Sequence, residues 1–342
     1  MPPDEVLTRY DIGLLRAVQP GGGTAGSTWR IEASGGRYLL RLRGMRTSPE
    51  ARLTFDHGLR EHLVERGVPT VVATPTREGD RWCQHAGRVY ELYPFVTGFA
   101  YDARARAQTD AAATALARYH LAARTYPAAI GWRERIGQYS ALSYGAGDSD
   151  RLDDPALLVA QLQALWSLAE SAADRSLLER CLVRAGALVE SHAGAAYQHL
   201  ASWVIHGDYT PANLLFSEQG AVVGIFDLDW AMPGSRCRDV ADGLYFFGVQ
   251  RAAVDAGDIW SLTQSLDWDL GAARRFLYAY ESAAPLSDEE RHAIPAAFVG
   301  RWLSIRLEGM AKVAAAERWR FFARDVERPL DWLDRNEEAL LA

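Results

Sequence analysis

Apolar side chains follow two spacing regimes along the chain. Up to residue 95 they alternate with polar ones: Thr28-Trp29-Arg30-Ile31-Glu32-Ala33, a turn at Ser34-Gly35-Gly36, then a second run from Arg37 to Arg43. A period of two predicts strands with one face turned inward. A short strand is expected over Leu14 to Val18, and a hairpin over 81–84 and 88–93 that runs into Pro94-Phe95-Val96-Thr97-Gly98. One helical pattern interrupts the strands; it opens at Ser48-Pro49-Glu50, continues through Leu59, Leu63 and Val64, and stops at Gly67-Val68-Pro69. Beyond residue 96 the spacing becomes three and four. Leu116, Tyr119, His120 and Ala123 share one side of a helix over 109–124, and two further helices centre on Leu158-Leu162-Leu165-Trp166 and Leu177-Cys181-Leu182-Leu188. On such a face His120 is a packed or surface histidine rather than a ligand. The glycine-rich stretch Tyr144-Gly145-Ala146-Gly147-Asp148 precedes no strand and reads as a linker. Residues 258–342 are helical and rich in Trp and Arg, with Trp260, Trp268, Trp302, Trp319 and Trp332 completing a core or walling a pocket. The expectation is an α+β chain of two units, 1–95 and 96–342, joined where the strand ends in Pro and Gly.

Chemistry concentrates in one polar stretch, His206-Gly207-Asp208-Tyr209-Thr210-Pro211-Ala212-Asn213, held between the apolar runs Trp203-Val204-Ile205 and Leu214-Leu215-Phe216. Asp208 and Asn213 stand five positions apart, and Asp227 follows Val222-Val223-Gly224-Ile225-Phe226, a run that reads as a strand. Phosphoryl transfer uses such a set: one carboxylate for the attacking hydroxyl, and a carboxamide with a second carboxylate for a magnesium ion on the nucleotide. Either piece alone is as well explained by a turn or a cap. Their occurrence together, in order and between the right apolar runs, favours the functional reading.

Near the start, Gly21-Gly22-Gly23-Thr24-Ala25-Gly26-Ser27 is literally G-x-G-x-x-G. A dinucleotide-binding turn would open a helix next. Here a strand follows, as in glycine loops whose backbone N–H groups close over phosphates. Gly21, Gly23, Gly26 and Ser27 are therefore candidate nucleotide contacts. On the next strand Arg41 stands where a phosphate-binding lysine is expected, while Arg43 reads as a solvated edge residue. The chain has a single lysine, Lys312, so arginine must fill any such role. Of the acids on the interrupting helix, Glu50, Asp56 and Glu61, Asp56 is the candidate partner of Arg41, with an ordinary exposed charge as the alternative, and Glu91, Leu92 and Tyr93 lead to the crossing whose backbone would bind the adenine edge. Asp239 precedes an apolar run and reads as an N-cap. Asp229 is open between sharing the metal or facing the substrate and being a solvated turn acid.

These residues resemble the aminoglycoside phosphotransferase superfamily, whose relatives include type II homoserine kinase, choline kinase, methylthioribose kinase, fructosamine kinase and a bacterial stress-response protein kinase. The resemblance runs from the glycine loop through Asp239 and is most specific in His206-Gly207-Asp208, Asn213 and Asp227. It implies a bilobal protein-kinase-like fold, with a small antiparallel-sheet N-lobe and a larger, mostly helical C-lobe. ATP and Mg2+ would lie between them. It makes Asp208 the catalytic base, Asn213 and Asp227 metal ligands, and His206 a support for the loop backbone. The acceptor it implies is a small-molecule hydroxyl; a Ser/Thr protein kinase, or a nucleotide-binding module without turnover, is the alternative.

Composition narrows the partners. With 37 basic and 44 acidic residues the net charge is -7, which argues against nucleic acid or an anionic membrane. Asp229, Asp239 and Asp242 near the expected cleft suit an amino sugar or another cationic alcohol. Three scattered cysteines, Cys83, Cys181 and Cys237, fit buried free thiols, and the start of the chain shows no basic-then-apolar leader, so a soluble cytoplasmic protein is expected.

Overall fold

The computed structural model describes residues 2–21, 28–127, 155–193, 200, 203–250, 258–264 and 267–342. Gly23, Gly26 and Ser27, together with the 144–148 linker, lie outside the described residues.

The alternating segments form one antiparallel sheet in the order β1-β2-β3-β5-β4, made of β1 (Leu15–Pro20), β2 (Thr28–Ala33), β3 (Gly36–Leu42), β4 (Cys83–His85) and β5 (Arg88–Pro94). The first strand runs two residues further than the apolar pattern indicated. Gly21 donates to the Thr28 carbonyl at 2.7 Å, closing the base of the glycine loop. Ile31, Leu40, Tyr90 and Leu92 line the sheet's inner face, packed with Val6 and Leu7 of the short helix α1 (Asp4–Leu7) and with Tyr10 and Ile12 beyond it. Each such burial contributes about 1.5–3 kcal/mol before entropy is counted.

Helix α2 (Glu50–Glu65) follows β3 and is buried on two sides. Its Phe55, Leu59 and Leu63 join the large helical core, while Asp56 and His57 turn toward buried charges of the sheet. The larger core is built from α3 (Arg106–Ala123), α4 (Pro155–Ala164), α5 (Ala172–Ala193), α6 (Cys237–Phe247), α7 (Leu270–Ala283) and α8 (Asp288–Met310). After these come α9 (Arg318–Ala323) and α10 (Arg328–Leu341). Helix α3 lies against α7, and α6 against α8. His120 of α3 is fully buried and bonded to Tyr280 and Asp239, a packed histidine as its face indicated.

Two nested hairpins carry the polar stretch. β6 (Trp203–Ile205) pairs with β9 (Met232–Gly234), and inside that pair β7 (Leu214–Phe216) pairs with β8 (Val222–Ile225). Loop 206–213 and segment 226–231 therefore emerge at the same end. Phe226 N–H bonds the Asn213 carbonyl at 2.9 Å, and Phe99 exchanges both backbone bonds with Phe216, fastening the chain beyond β5 to this unit. Among the described residues no helix is long and apolar enough to cross a membrane. All three cysteines are free and buried.

Candidate active site

The loop after β6 is anchored from below by a buried acid. Asp239 Oδ2 accepts from the His206 N–H at 2.6 Å and from His120 Nε2 at 3.0 Å, and Oδ1 accepts from the Gly207 N–H at 2.9 Å. This corrects the N-cap reading. Helix α6 begins at Cys237, so Asp239 lies inside its first turn and spends its oxygens on the loop instead of on its own helix. His206 receives the Asp208 N–H on Nδ1 at 3.3 Å, which leaves Nε2 to donate to the Phe226 carbonyl at 2.8 Å. The histidine thus ties the two segments of the site together. Gly207 has φ +81°, and a Cβ there would lie 2.3 Å from the Trp230 carbonyl oxygen, so only glycine lets the loop pass so close.

Asp208 and Asn213 come together as their spacing indicated. Asn213 Nδ2 donates to the Asp208 carbonyl at 2.8 Å and to Oδ2 at 3.0 Å. With its nitrogen committed, the carboxamide has its oxygen to offer a metal. Asp227, just past β8, takes a left-handed backbone with φ 56°, unusual for a residue with a side chain.

Above this end hangs a network of arginines and acids. Arg41 of β3 grips Asp229 with both nitrogens, at 2.8 and 2.6 Å, and reaches Asp227 Oδ1 at 3.3 Å. Its nearest approach to Glu91 is 3.9 Å. Arg43, expected as a solvated edge residue, is fully buried: it bonds Glu91 at 2.7 Å, the Thr47 carbonyl at 2.6 Å, and Asp56. Asp56 is therefore the partner of Arg43, and of Arg52 at 2.8 Å, rather than of Arg41. Arg41 and Arg43 lie on one face, as two-residue spacing requires, but Asp56 of α2 meets Arg43 there and closes it off from water, whereas Arg41 keeps 21% of its side-chain surface. Arg52 also donates to the Leu228 carbonyl at 2.8 Å, a direct tie from α2 to the Asp227 segment.

The backbone of Glu91, Leu92 and Tyr93 lies in the sheet opposite β3, and the Leu92 carbonyl accepts from the Thr74 N–H at 2.7 Å. The Glu91 side chain points into the ion network, not to a ligand. Asp229 is no solvated turn acid, because Arg41 encloses it.

Charge balance sorts the acids. Burial works against ionised Glu91, yet Arg43, His57 and Arg41 hold its carboxyl far below the usual range. Burial likewise opposes Asp229, which Arg41 and Arg43 nonetheless pull down. Asp227 goes the other way: burial in the cleft and the neighbouring Asp229 raise it against Arg41, with Asp208 adding to the rise. Exposure separates them further, since Asp227 and Asp208 keep 41% and 31% of their side-chain surface while Asp229 keeps 9% and Glu91 none. Asp227 is thus an accessible carboxylate short of positive charge. Among the described residues no group of three His, Cys, Asp or Glu could form an all-protein metal cage. One carboxylate and one carboxamide suit magnesium, which keeps waters and takes its remaining oxygens from phosphates.

One residue at the site, Arg301, escaped the sequence reading. Arg301 of α8 bonds Asp242 at 2.5 Å and reaches Asp208 at 3.3 Å. No local signal marks it, because the contact spans 93 residues. Asp242 and Asp239 are fully buried and Asp229 is 6% exposed, so these three acids do not form an open wall for a cationic acceptor.

The model of the phosphotransferase enzyme family matches residues 16–286, and the chain belongs to that family. It is a kinase-type phosphotransferase with the kinase-like α+β fold. Homoserine kinase of Caulobacter vibrioides is 24% identical over 299 residues, covering 84% of this chain and 80% of that protein. Among solved structures, an aminoglycoside phosphotransferase from Alicyclobacillus acidocaldarius superposes with a TM-score of 0.63 at 17% identity, covering 97% of each chain. Amicoumacin kinase hAmiN, solved with AMP-PNP, Ca2+ and Ami, gives 0.62 at 15% identity, covering 95% of this chain and 96% of that one.

The close pass of the loop and the burial of Asp242 are both open to measurement. Gly207→Ala should lower stability by about 1–3 kcal/mol through the Trp230 contact, read as a fall in the thermal midpoint; an unchanged midpoint would mean that the loop has room. Burial pushes Asp242 up to about 7, against the pull of Arg301 and Arg238. An acid raised on folding binds its proton more tightly in the native state, so its ionisation costs stability as pH rises from its unfolded value, about 4, toward 7. Asp242→Asn never ionises. Its melting temperature minus that of the wild type should therefore increase between pH 5 and pH 8, and a constant difference would contradict the burial assignment.

Proposed function

We propose that the protein transfers the γ-phosphoryl group of ATP, used as its magnesium complex, to a hydroxyl of a small molecule. The observation that carries this reading is the meeting of Asp208, Asn213 and Asp227 at one end of the nested hairpins, with Asp208 and Asp227 the accessible acids beneath the sheet. Asp208 accepts the proton of the acceptor hydroxyl as its oxygen bonds to phosphorus and the bridging oxygen leaves with ADP. Asn213 and Asp227 hold magnesium, whose charge offsets that developing on the transferred group. His206 keeps the two segments in register, and Arg41, gripped by Asp229, presents its cation at the Asp227 side, where the phosphates would lie. By its motif, the stretch from Gly21 to Ser27 would contact the phosphates. We keep the lobe boundary at 95/96, just beyond the end of β5 at Pro94, and assign the adenine edge to the backbone just past β5, since Glu91–Tyr93 are held in the sheet.

ATP is supported by the AMP-PNP in the amicoumacin kinase structure and magnesium by the donor set. The similar proteins are a homoserine kinase and an aminoglycoside phosphotransferase, which favours an amine-bearing alcohol as acceptor; neither a protein substrate nor a module without turnover gains support from them. The chain's buried free thiols and its need for ATP fit the reducing cytoplasm.

The test is ATP consumption coupled to mass detection of product across aminoglycosides, homoserine, choline, methylthioribose and simple sugars. A phosphorylated product is expected from at least one, and Asp208→Ala should lower its turnover roughly 10²–10⁴-fold while ATP binding persists; turnover equal to wild type would remove Asp208 from its role. Asp227→Ala should sharply raise the magnesium concentration needed for half-maximal rate. If that requirement stayed the same, the metal site would lie elsewhere.

A further inference from the structure

Both oxygens of Asp208 have a donor, each from a different element. Oδ2 accepts from Asn213 within the loop, and Oδ1 faces Arg301 Nη2 at 3.3 Å from α8. Arg301 is itself fixed at its other end, where Nε bonds Asp242 Oδ1 at 2.5 Å. Among the described residues Asp242 Oδ2 is buried without a hydrogen-bond partner, so the side-chain hydrogen bond its carboxylate makes is the one to Arg301. The helix that delivers Arg301 is also pinned. Ser287 and Glu290 form a reciprocal cap at its start, and Arg236 grips Glu290 at 2.7 and 2.6 Å while stacking on Trp203 at 4.3 Å. Trp203 opens β6, the strand that leads into the loop. Helix and loop are therefore built on a common base, and Arg301 keeps only 9% of its side-chain surface exposed.

We infer that Arg301, oriented by Asp242, is a positioning residue that fixes the carboxylate plane of Asp208 for the acceptor hydroxyl. This rests on the reading of Asp208 as the group that takes the hydroxyl proton. The torsion that turns an aspartate carboxylate is broad and soft, so one donor from Asn213 leaves the plane free to swing and a second donor on the other oxygen stops it. The length of the Arg301 contact matters. Charge-assisted bonds usually measure about 2.7–2.9 Å, so 3.3 Å leaves Oδ1 able to accept a hydroxyl as well. The other charges on this side, Glu308 of α8 and Arg238 of α6, stand near Arg301 or Asp208 without replacing this bond.

The test uses the full chain with the best acceptor from the panel and compares Arg301→Lys, Arg301→Ala and Asp208→Asn. Lysine keeps the charge but cannot bond Asp242 and Asp208 with a rigid fork. Arg301→Lys should lower kcat roughly ten- to a hundredfold, the scale of a misplaced reacting group, with KM for ATP and for acceptor unchanged and a wild-type melting curve. Arg301→Ala should lose more, and added guanidinium ion should restore part of it. An unchanged kcat in Arg301→Lys would overturn the inference, as would an effect confined to acceptor KM, which would make Arg301 a substrate contact. Should Arg301→Ala fail to fold, the lysine variant alone decides. Failure of the underlying reading shows separately, as turnover retained in Asp208→Asn.

Discussion

The grip of Arg41 on Asp229 is the contact on which the site depends. It joins the sheet to the segment after β8, because the arginine comes from β3 and the two acids it touches, Asp227 and Asp229, both follow the end of the inner hairpin. A guanidinium can do this and an ammonium cannot: two nitrogens span one carboxylate and still leave a corner for the next. The same arginine then distinguishes the acids. Asp229 is saturated and enclosed, whereas Asp227 receives one longer contact and stays open and short of counter-charge. Around it Arg43, Arg52, Asp56 and Glu91 alternate in sign, so that each buried charge has an opposite neighbour. Removing one member of such a network would strand a charge in the interior, at a cost of about 3–5 kcal/mol.

A second constraint acts from the helical side. Asp239 holds the His206 and Gly207 amides, and Gly207 lets the loop touch Trp230, so the direction of Asp208 is set by backbone bonds rather than by its own side-chain preferences. Asn213 and Arg301 then fix its carboxylate. The acids that can reach a ligand are thus few, and the others support them from positions closed to solvent.

Much of this was legible in the sequence, for reasons that are physical. The alternation over 28–43 and 88–93 appears as the antiparallel sheet, and the polar loop between two apolar runs appears as a tight turn between paired strands. What could not be read was which charged residues are covered. Arg43 alternates correctly with Arg41, yet nothing local shows that α2 lies across that face with Asp56. Asp239 has the composition of a cap but sits too deep in its helix, and its partners lie 32 and 33 residues earlier. Arg301 and Asp242 depend on the packing of α8 against α6, which periodicity does not specify. Gly23, Gly26 and Ser27 lie outside the described residues, so their part in the site rests on the motif alone.

On the proposed role of Asp208 as proton acceptor, the phosphoryl group passes from ATP to the alcohol in a single displacement. The most direct measurement is the stereochemical course at phosphorus, using ATP made chiral at the γ-position and the acceptor found to be phosphorylated. Inversion is the predicted result, because the hydroxyl enters opposite the leaving oxygen in one step. Net retention would require two displacements through a phosphorylated side chain, and would contradict the role of Asp208 as proton acceptor in a direct transfer.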